Sequence, residues 1–116
     1  MPSVLEISVE TLAEKLKSQE KFVLLDVRET WELNLAKIGD ARLEVAPTSH
    51  LANEGLVALP ESVRSRDAEI YVMCHHGVRS ADVTGWLASQ GWKKVFSVAG
   101  GIDEYARKVD SSVGMY

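Results

Sequence analysis

The stretch Phe22-Val-Leu-Leu-Asp-Val27 carries no polar side chain on either face until Asp26. A strand that is apolar on both sides must be covered on both sides, as a central strand of a parallel sheet between two layers of helices is. The flanking sequence supplies the helices and further strands. Val4 to Ile7 alternates like a short strand, and Ser8 is placed to cap a helix in which Val9, Leu12, Ala13 and Leu16 share one face. Lys15 and Lys17 suit the negative end of that helix. Trp31, Leu33 and Leu35 allow a short helix from Thr30 to about Ala36, which Gly39-Asp40 breaks. Ala41 to Val45 reads as a short strand, Pro47-Thr48-Ser49 opens a loop or helical piece running to Gly55, and Pro60 starts one more turn near Val63.

The second half repeats the alternation. Glu69 to Met73 is an apolar, β-branched strand, and Ala81 to Gln90 has helical spacing, with Val83, Trp86, Leu87 and Gln90 on one face and Gly91 as a left-handed end. Lys94 to Val98 is a last strand and Gly100-Gly101 a turn. Ile102, Tyr105, Ala106 and Val109 form a final amphipathic face, and 110–116 reads as irregular. Trp31, Trp86, Trp92 and Tyr105 fall at core-facing or turn positions and are assigned to packing. Strands alternating with helices predict an α/β fold with a mainly parallel sheet, helices on both faces and right-handed crossovers.

Bulk properties limit the partners. A chain of 116 residues is expected to form one domain, 1–116. A formal charge of −4 without a run of Lys or Arg argues against nucleic acid and anionic membranes. No apolar stretch approaches the roughly 20 residues of a membrane span, and Met1-Pro-Ser-Val4 lacks a signal-peptide layout, so the cytoplasm is the expected compartment. One cysteine allows no internal disulfide, and no Cys/His spacing points to zinc, so neither a metal nor a cofactor is expected.

That cysteine opens the segment Cys74-His75-His76-Gly77-Val78-Arg79-Ser80, where a strand hands over to a helix. In open parallel sheets ligands bind outside the C-terminal ends of the strands, and both Cys74 and Asp26-Val27-Arg28 lie at such ends. A helix N-terminus favours an anion, and nearby cations lower a thiol's pKa. Gly77 lets the loop turn its N–H groups inward as an anion nest, Arg79 and His75 or His76 can add positive charge, and Ser80 can cap the helix.

With these features in place, Cys-x-x-Gly-x-Arg-Ser after a strand resembles the active-site loop of the rhodanese family of sulfurtransferases. Asp26-Val-Arg-Glu29 is similar to the family's Asp-x-Arg-Glu segment. Gly91-Trp-Lys-Lys-Val-Phe96 and Ala99-Gly-Gly-Ile-Asp-Glu-Tyr105 resemble its closing strand and Gly-Gly turn. Where family members often carry Gly-His-Ile-Pro-Gly-Ala, this chain has Ala36-Lys-Ile-Gly-Asp-Ala41, read as structural. The resemblance implies a five-stranded parallel sheet in which Cys74 takes a sulfane sulfur from a donor such as thiosulfate, becomes a persulfide and passes the sulfur on. The acceptor would be cyanide in vitro and a thiol or protein in the cell.

On this reading Cys74 is the nucleophile, and the backbone N–H groups of 75 to 79 hold the persulfide and the leaving anion. Arg79 has two roles open to it, binding a substrate oxyanion or bracing the loop, since a forked donor suits both. His75 and His76 can tune charge or substrate preference, or be merely solvated. Asp26 and Arg28 are supporting residues that tie the strand end to neighbouring backbone. The alternatives are a binding, regulatory or sulfur-delivery module without turnover, and a cysteine phosphatase or arsenate reductase. The latter use a longer loop than the four residues between Cys74 and Arg79.

Overall fold

The computed structural model describes residues 4–116, so Met1 to Ser3 of the expected leader-free start lie outside the described residues. Its strands are β1 (Glu6–Ile7), β2 (Val23–Asp26), β3 (Leu43–Val45), β4 (Ile70–Met73) and β5 (Val95–Val98). The helices are α1 (Val9–Lys17), α2 (Thr30–Leu33), α3 (Thr48–Glu54), α4 (Val78–Ser89) and α5 (Gly101–Lys108), with short 3-10 turns at Gly55–Ala58, Glu61–Val63 and Ser111–Val113. The strands form one parallel sheet in the order β1-β5-β4-β2-β3. Among the described residues no helix is long and apolar enough to cross a membrane.

β2 is an interior strand, paired with β3 and β4 as the expectation for Phe22–Val27 requires, and β4 stands at the middle of the five. Both strands are apolar on their two faces, and their order is set by the crossovers rather than by composition. The order of connection reverses between these parallel strands: β2 leads outward to β3, while β4 leads the other way to β5. The crevice of such a sheet opens at that reversal, here beyond Asp26 and Met73, which are paired in register.

Alternation along the strands sorts the core into two layers. Leu25, Ile70, Val72 and Val95 pack with Leu51, Val83, Leu87 and Trp92 under α3 and α4. Leu24, Tyr71, Met73 and Val98 pack with Val9, Leu12, Ile102 and Tyr105 under α1 and α5. Each fully buried aliphatic side chain contributes on the order of 1.5–3 kcal/mol relative to exposure, so the sheet is held on both faces. The period of two continues past β4 and places Cys74 on the α4 side, in the same cluster as Val72.

Local signals hold in several places. Ser8 caps α1, its hydroxyl accepting from the Thr11 N–H at 3.1 Å, and Gly91 follows α4 with φ +108°. Ala36 and Ile38, in the segment that departs from the family pattern, are buried in the core. Three expectations for packing and order need correction. Trp31 is 61% exposed, because α2 is a single turn that spends its inward position on Glu32. Gln90 is exposed although Val83 and Leu87 of its face are buried. The 110–116 segment contains an ordered turn, with the Asp110 carboxylate accepting from the Ser112 N–H at 3.0 Å, and Val113 and Tyr116 pack against the α1/α5 core.

Candidate active site

Cys74 follows β4 directly, and its side chain meets the first turn of α4 head-on. The N–H of Gly77 donates to its Sγ at 3.1 Å and the N–H of Ser80 at 3.3 Å. The helix begins at Val78, three residues earlier than the spacing at Ala81 suggests, because Gly77 takes the N-cap position with φ +103°. A Cβ there would be strained by that φ and would sit 3.1 Å from the Gly100 nitrogen. Ser80 is therefore not the cap; it lies inside the first turn, and Cys74 Sγ takes the place of a capping side-chain oxygen. The donors that reach the resting sulfur are those of Gly77, which lies within the expected 75 to 79, and of Ser80, which lies just past it. The N–H groups of Val78 and Arg79 belong to the first turn, whose amides have no partner further back in the helix.

What keeps the loop in this attitude is α5. The Cys74 carbonyl accepts from the Ile102 N–H at 2.9 Å and the His75 carbonyl from the Asp103 N–H at 3.1 Å. Two otherwise orphan donors at the start of α5 are satisfied, and the loop's carbonyls are turned away from the sulfur. Gly101 makes that approach possible, since a Cβ at this residue would lie 2.4 Å from the Cys74 carbonyl oxygen. The Gly100-Gly101 pair thus belongs to the site as much as to a turn.

Two hydroxyls line the other side of the sulfur. The Cys74 thiol lies 3.4 Å from Ser80 Oγ, which is 2.8 Å from Ser97 Oγ on β5, and both serines are fully buried. Hydroxyl hydrogens rotate to suit their partners, so Ser80 can accept from a thiol or donate to a thiolate. Cys74 itself is 1% exposed.

Arg79 is clamped. Its Nη1 and Nη2 donate to Glu32 Oε2 and Oε1 at 2.6 and 2.9 Å, a fork-to-carboxylate pair. Glu32 also accepts from the Glu29 N–H at 2.8 Å and from the Tyr116 hydroxyl at 2.8 Å. Hydrogen bonding from Arg79, against the opposing effect of burial, brings the Glu32 carboxyl down to about 2. The Arg79 guanidinium is pushed well above its ordinary range, first by the Glu32 hydrogen bonds, against the opposing effect of burial. Of the two roles open to Arg79, bracing is the contact present.

Asp26 and Arg28 form a second pair, wholly buried. Arg28 Nε and Nη2 donate to the Asp26 carboxylate at 2.9 and 2.7 Å, and the Arg28 N–H joins them at 3.1 Å. Arg28 Nη1 reaches the Glu32 carbonyl at 3.3 Å and the Tyr116 hydroxyl at 3.2 Å. Through these contacts the end of β2 is tied to α2.

The histidines divide. His76 is exposed, with Nδ1 3.8 Å from Asp103 Oδ2. His75 lies between two rings, 3.9 Å from His76 and 3.8 Å from Tyr116 with an 8° interplanar angle. Burial, then the neighbouring His76, lowers the His75 pKa below that of a free imidazole. Folding also gathers His75, His76 and Asp103 with ligand atoms within 4.8 Å of one another, a grouping invisible to a search for Cys/His spacing. The His75 and His76 rings are tilted 31° to each other at 3.9 Å, and Asp103 Oδ2 is engaged by Arg107 at 2.9 Å. The trio does not carry a metal assignment.

Glu32, Ser97 and Tyr116 come to the site from distant parts of the chain, and no sequence pattern selects them. Only Glu32 leaves a trace, since Arg79 beside a buried cysteine needs a carboxylate partner from somewhere. A broad concavity lies away from this chemistry, around Lys17–Val23 and Asp67–Glu69 at the opposite ends of β2 and β4. A smaller groove lined by Leu51, Asp82, Val83 and Trp86 runs up to Arg79.

A cysteine at the C-terminal end of the central parallel strand, with its sulfur capped by the next helix, defines a cysteine-centred α/β domain. Comparison with known families is specific: the Rhodanese-like domain model matches residues 8–108, and the chain belongs to that family. It is 36% identical over 118 residues to the Rhodanese-like/PpiC domain-containing protein 12, chloroplastic, of Arabidopsis thaliana, covering 97% of this chain and 38% of that protein. It is 31% identical over 95 residues to the thiosulfate sulfurtransferase GlpE of Vibrio cholerae, covering 82% of each. Among solved structures, a rhodanese-related protein from Thermoplasma volcanium superposes with a TM-score of 0.72 at 30% identity, covering 90% of this chain and 93% of that one. The chain thus spans well under half of the Arabidopsis relative's length and most of the Vibrio one's.

Proposed function

We propose that the chain is a sulfurtransferase of the rhodanese type, using Cys74 as a persulfide carrier with thiosulfate as a donor. The observation that carries this reading is the pair of backbone N–H groups, from Gly77 and Ser80, directed at Sγ. Hydrogen bonds of this kind are stronger to a charged acceptor than to a neutral one. Family membership and the similarity to a protein named a thiosulfate sulfurtransferase support the same chemistry.

The step is redox-balanced without a cofactor. The Cys74 thiolate attacks the outer sulfur of thiosulfate; a new S–S bond forms as the old one breaks, and sulfite leaves with the bonding pair. A persulfide S–S bond is about 2 Å long, so the terminal sulfur stands out from a cysteine that is itself almost inaccessible. An acceptor nucleophile then attacks that outer sulfur and Cys74 departs as thiolate. Cyanide would become thiocyanate, and a thiol or protein thiol would become a persulfide. With a single cysteine in the chain, no internal thiol can resolve the intermediate, and the acceptor comes from outside. Ser80, backed by Ser97, turns its hydroxyl toward the sulfur as charge develops there.

A thiosulfate–cyanide assay tests the proposal. Thiocyanate is expected from the wild type and none above background from Cys74→Ser. A wild type that forms no thiocyanate from thiosulfate, polysulfide or a small persulfide would overturn it.

A further inference from the structure

We propose that Tyr116 is a positioning residue for this reaction, fixing both ends of the Cys74 loop at once for an anionic sulfur donor; the proposal rests on the sulfur-transfer reading above. At one end its ring stacks on His75, the residue next to the cysteine, at 3.8 Å and 8°. At the other its hydroxyl donates to Glu32 Oε1 at 2.8 Å, and Glu32 holds Arg79, the last residue before Ser80. The same hydroxyl accepts from Arg28 Nη1 at 3.2 Å, which links the arrangement to the buried end of β2.

The route of the segment supports a positioned, not a trailing, tyrosine. The Lys37 N–H donates to the Val113 carbonyl at 2.8 Å. Val113 packs into the α1/α5 core, and the Asp110 carboxylate caps the turn before it. The ring is therefore delivered to His75 by backbone and core contacts made before residue 116 is reached. Nothing in this arrangement touches the donors to Cys74 Sγ, which belong to Gly77 and Ser80. Loss of Tyr116 should leave the thiol's own reactivity intact while loosening the cation and the loop entrance that an anion meets. A purely structural role would instead slow every reaction of Cys74 alike.

The test uses two alkylating reagents of similar size, neutral iodoacetamide and anionic iodoacetate, on the full chain and on Tyr116→Ala and Tyr116→Phe. Alkylation does not require sulfur transfer, so it reports on Tyr116 even if the transferase reading fails. In Tyr116→Ala the ratio of iodoacetate to iodoacetamide rates should fall about tenfold, and the KM for thiosulfate should rise by a similar factor with kcat nearly unchanged, the pattern of lost uniform binding. Tyr116→Phe keeps the stack and loses the hydroxyl, so it should fall in between, at about threefold. It also serves if the alanine variant does not fold. An unchanged ratio in a folded variant, or equal slowing with both reagents, overturns the proposal.

Discussion

Two arginine–carboxylate pairs stand beyond the ends of neighbouring strands, and burial gives them different work. Arg28 and Asp26 are fully buried, and Arg28 spends its Nε, Nη1 and Nη2 on protein acceptors. The Arg79 side chain is 34% exposed and faces a Glu32 that is nearly buried; the carboxylate takes one N–H from each terminal nitrogen. The rest of the Arg79 fork has no partner among the described residues. A buried pair must be complete, because each charge has lost its water. The half-open pair is fixed in place and still has donors to give. The first holds the strand end, and the second holds the side chain of the residue before Ser80, whose N–H donates to Cys74 Sγ.

Substitutions should separate the two pairs. The largest effect is expected from Arg28→Ala, which strands the Asp26 charge in the core. A loss of about 3–5 kcal/mol is expected from denaturant midpoints at constant slope, and the molecules that remain folded should retain the iodoacetamide reactivity of Cys74. A loss below 1 kcal/mol would mean that the buried pair is not a support.

Acid should act next, through Glu32. Its carboxyl is lowered in the folded protein to about 2 from an ordinary 4.5. The stabilisation is therefore complete above pH 4.5 and is lost as pH falls from there toward 2. Its size is at most roughly 3 kcal/mol. Glu32→Gln should flatten this part of the stability–pH curve, measured by urea unfolding between those pH values. An unchanged slope would remove Glu32 from the account of acid stability.

The smallest effect on stability, about 1 kcal/mol, is expected from Arg79→Lys, which keeps the charge and loses the fork. Its mark should appear in KM for thiosulfate, raised several-fold. Together the two arginines make the comparison sharp: Arg28 should move stability most and leave the thiol alone, and Arg79 should move stability little and KM for thiosulfate most. If both changed stability equally and KM not at all, exposure would not distinguish them.

Much of the fold and part of the site are legible in the amino-acid sequence, for physical reasons that also mark the limits. The runs at Phe22–Val27 and Glu69–Met73 announce buried strands, and Ser8 and Gly91 punctuate the helices through local chemistry. Cys74 at a strand-to-helix joint is a local fact, as is Gly77 three residues on. What stays hidden depends on crossovers and long-range contact. Two doubly apolar strands look alike, so only the crossovers show that β4 is central. Glu32 reaches Arg79 across 47 positions and Tyr116 reaches Glu32 across 84, with no periodicity to announce either. Ser80 reads as a cap because serine commonly is one; a sulfur atom standing in that role has no sequence signature. Trp31 reads as core because aromatic residues usually bury, while its one-turn helix turns Glu32 inward instead.

The most direct measurement is the intact mass of the chain after incubation with thiosulfate, then after cyanide. One added sulfur atom that cyanide removes, absent in Cys74→Ala, is the expected result. A wild-type chain that gains no sulfur from thiosulfate or any other sulfane donor, or gains it equally in Cys74→Ala, would contradict the assignment of Cys74 as the sulfur carrier.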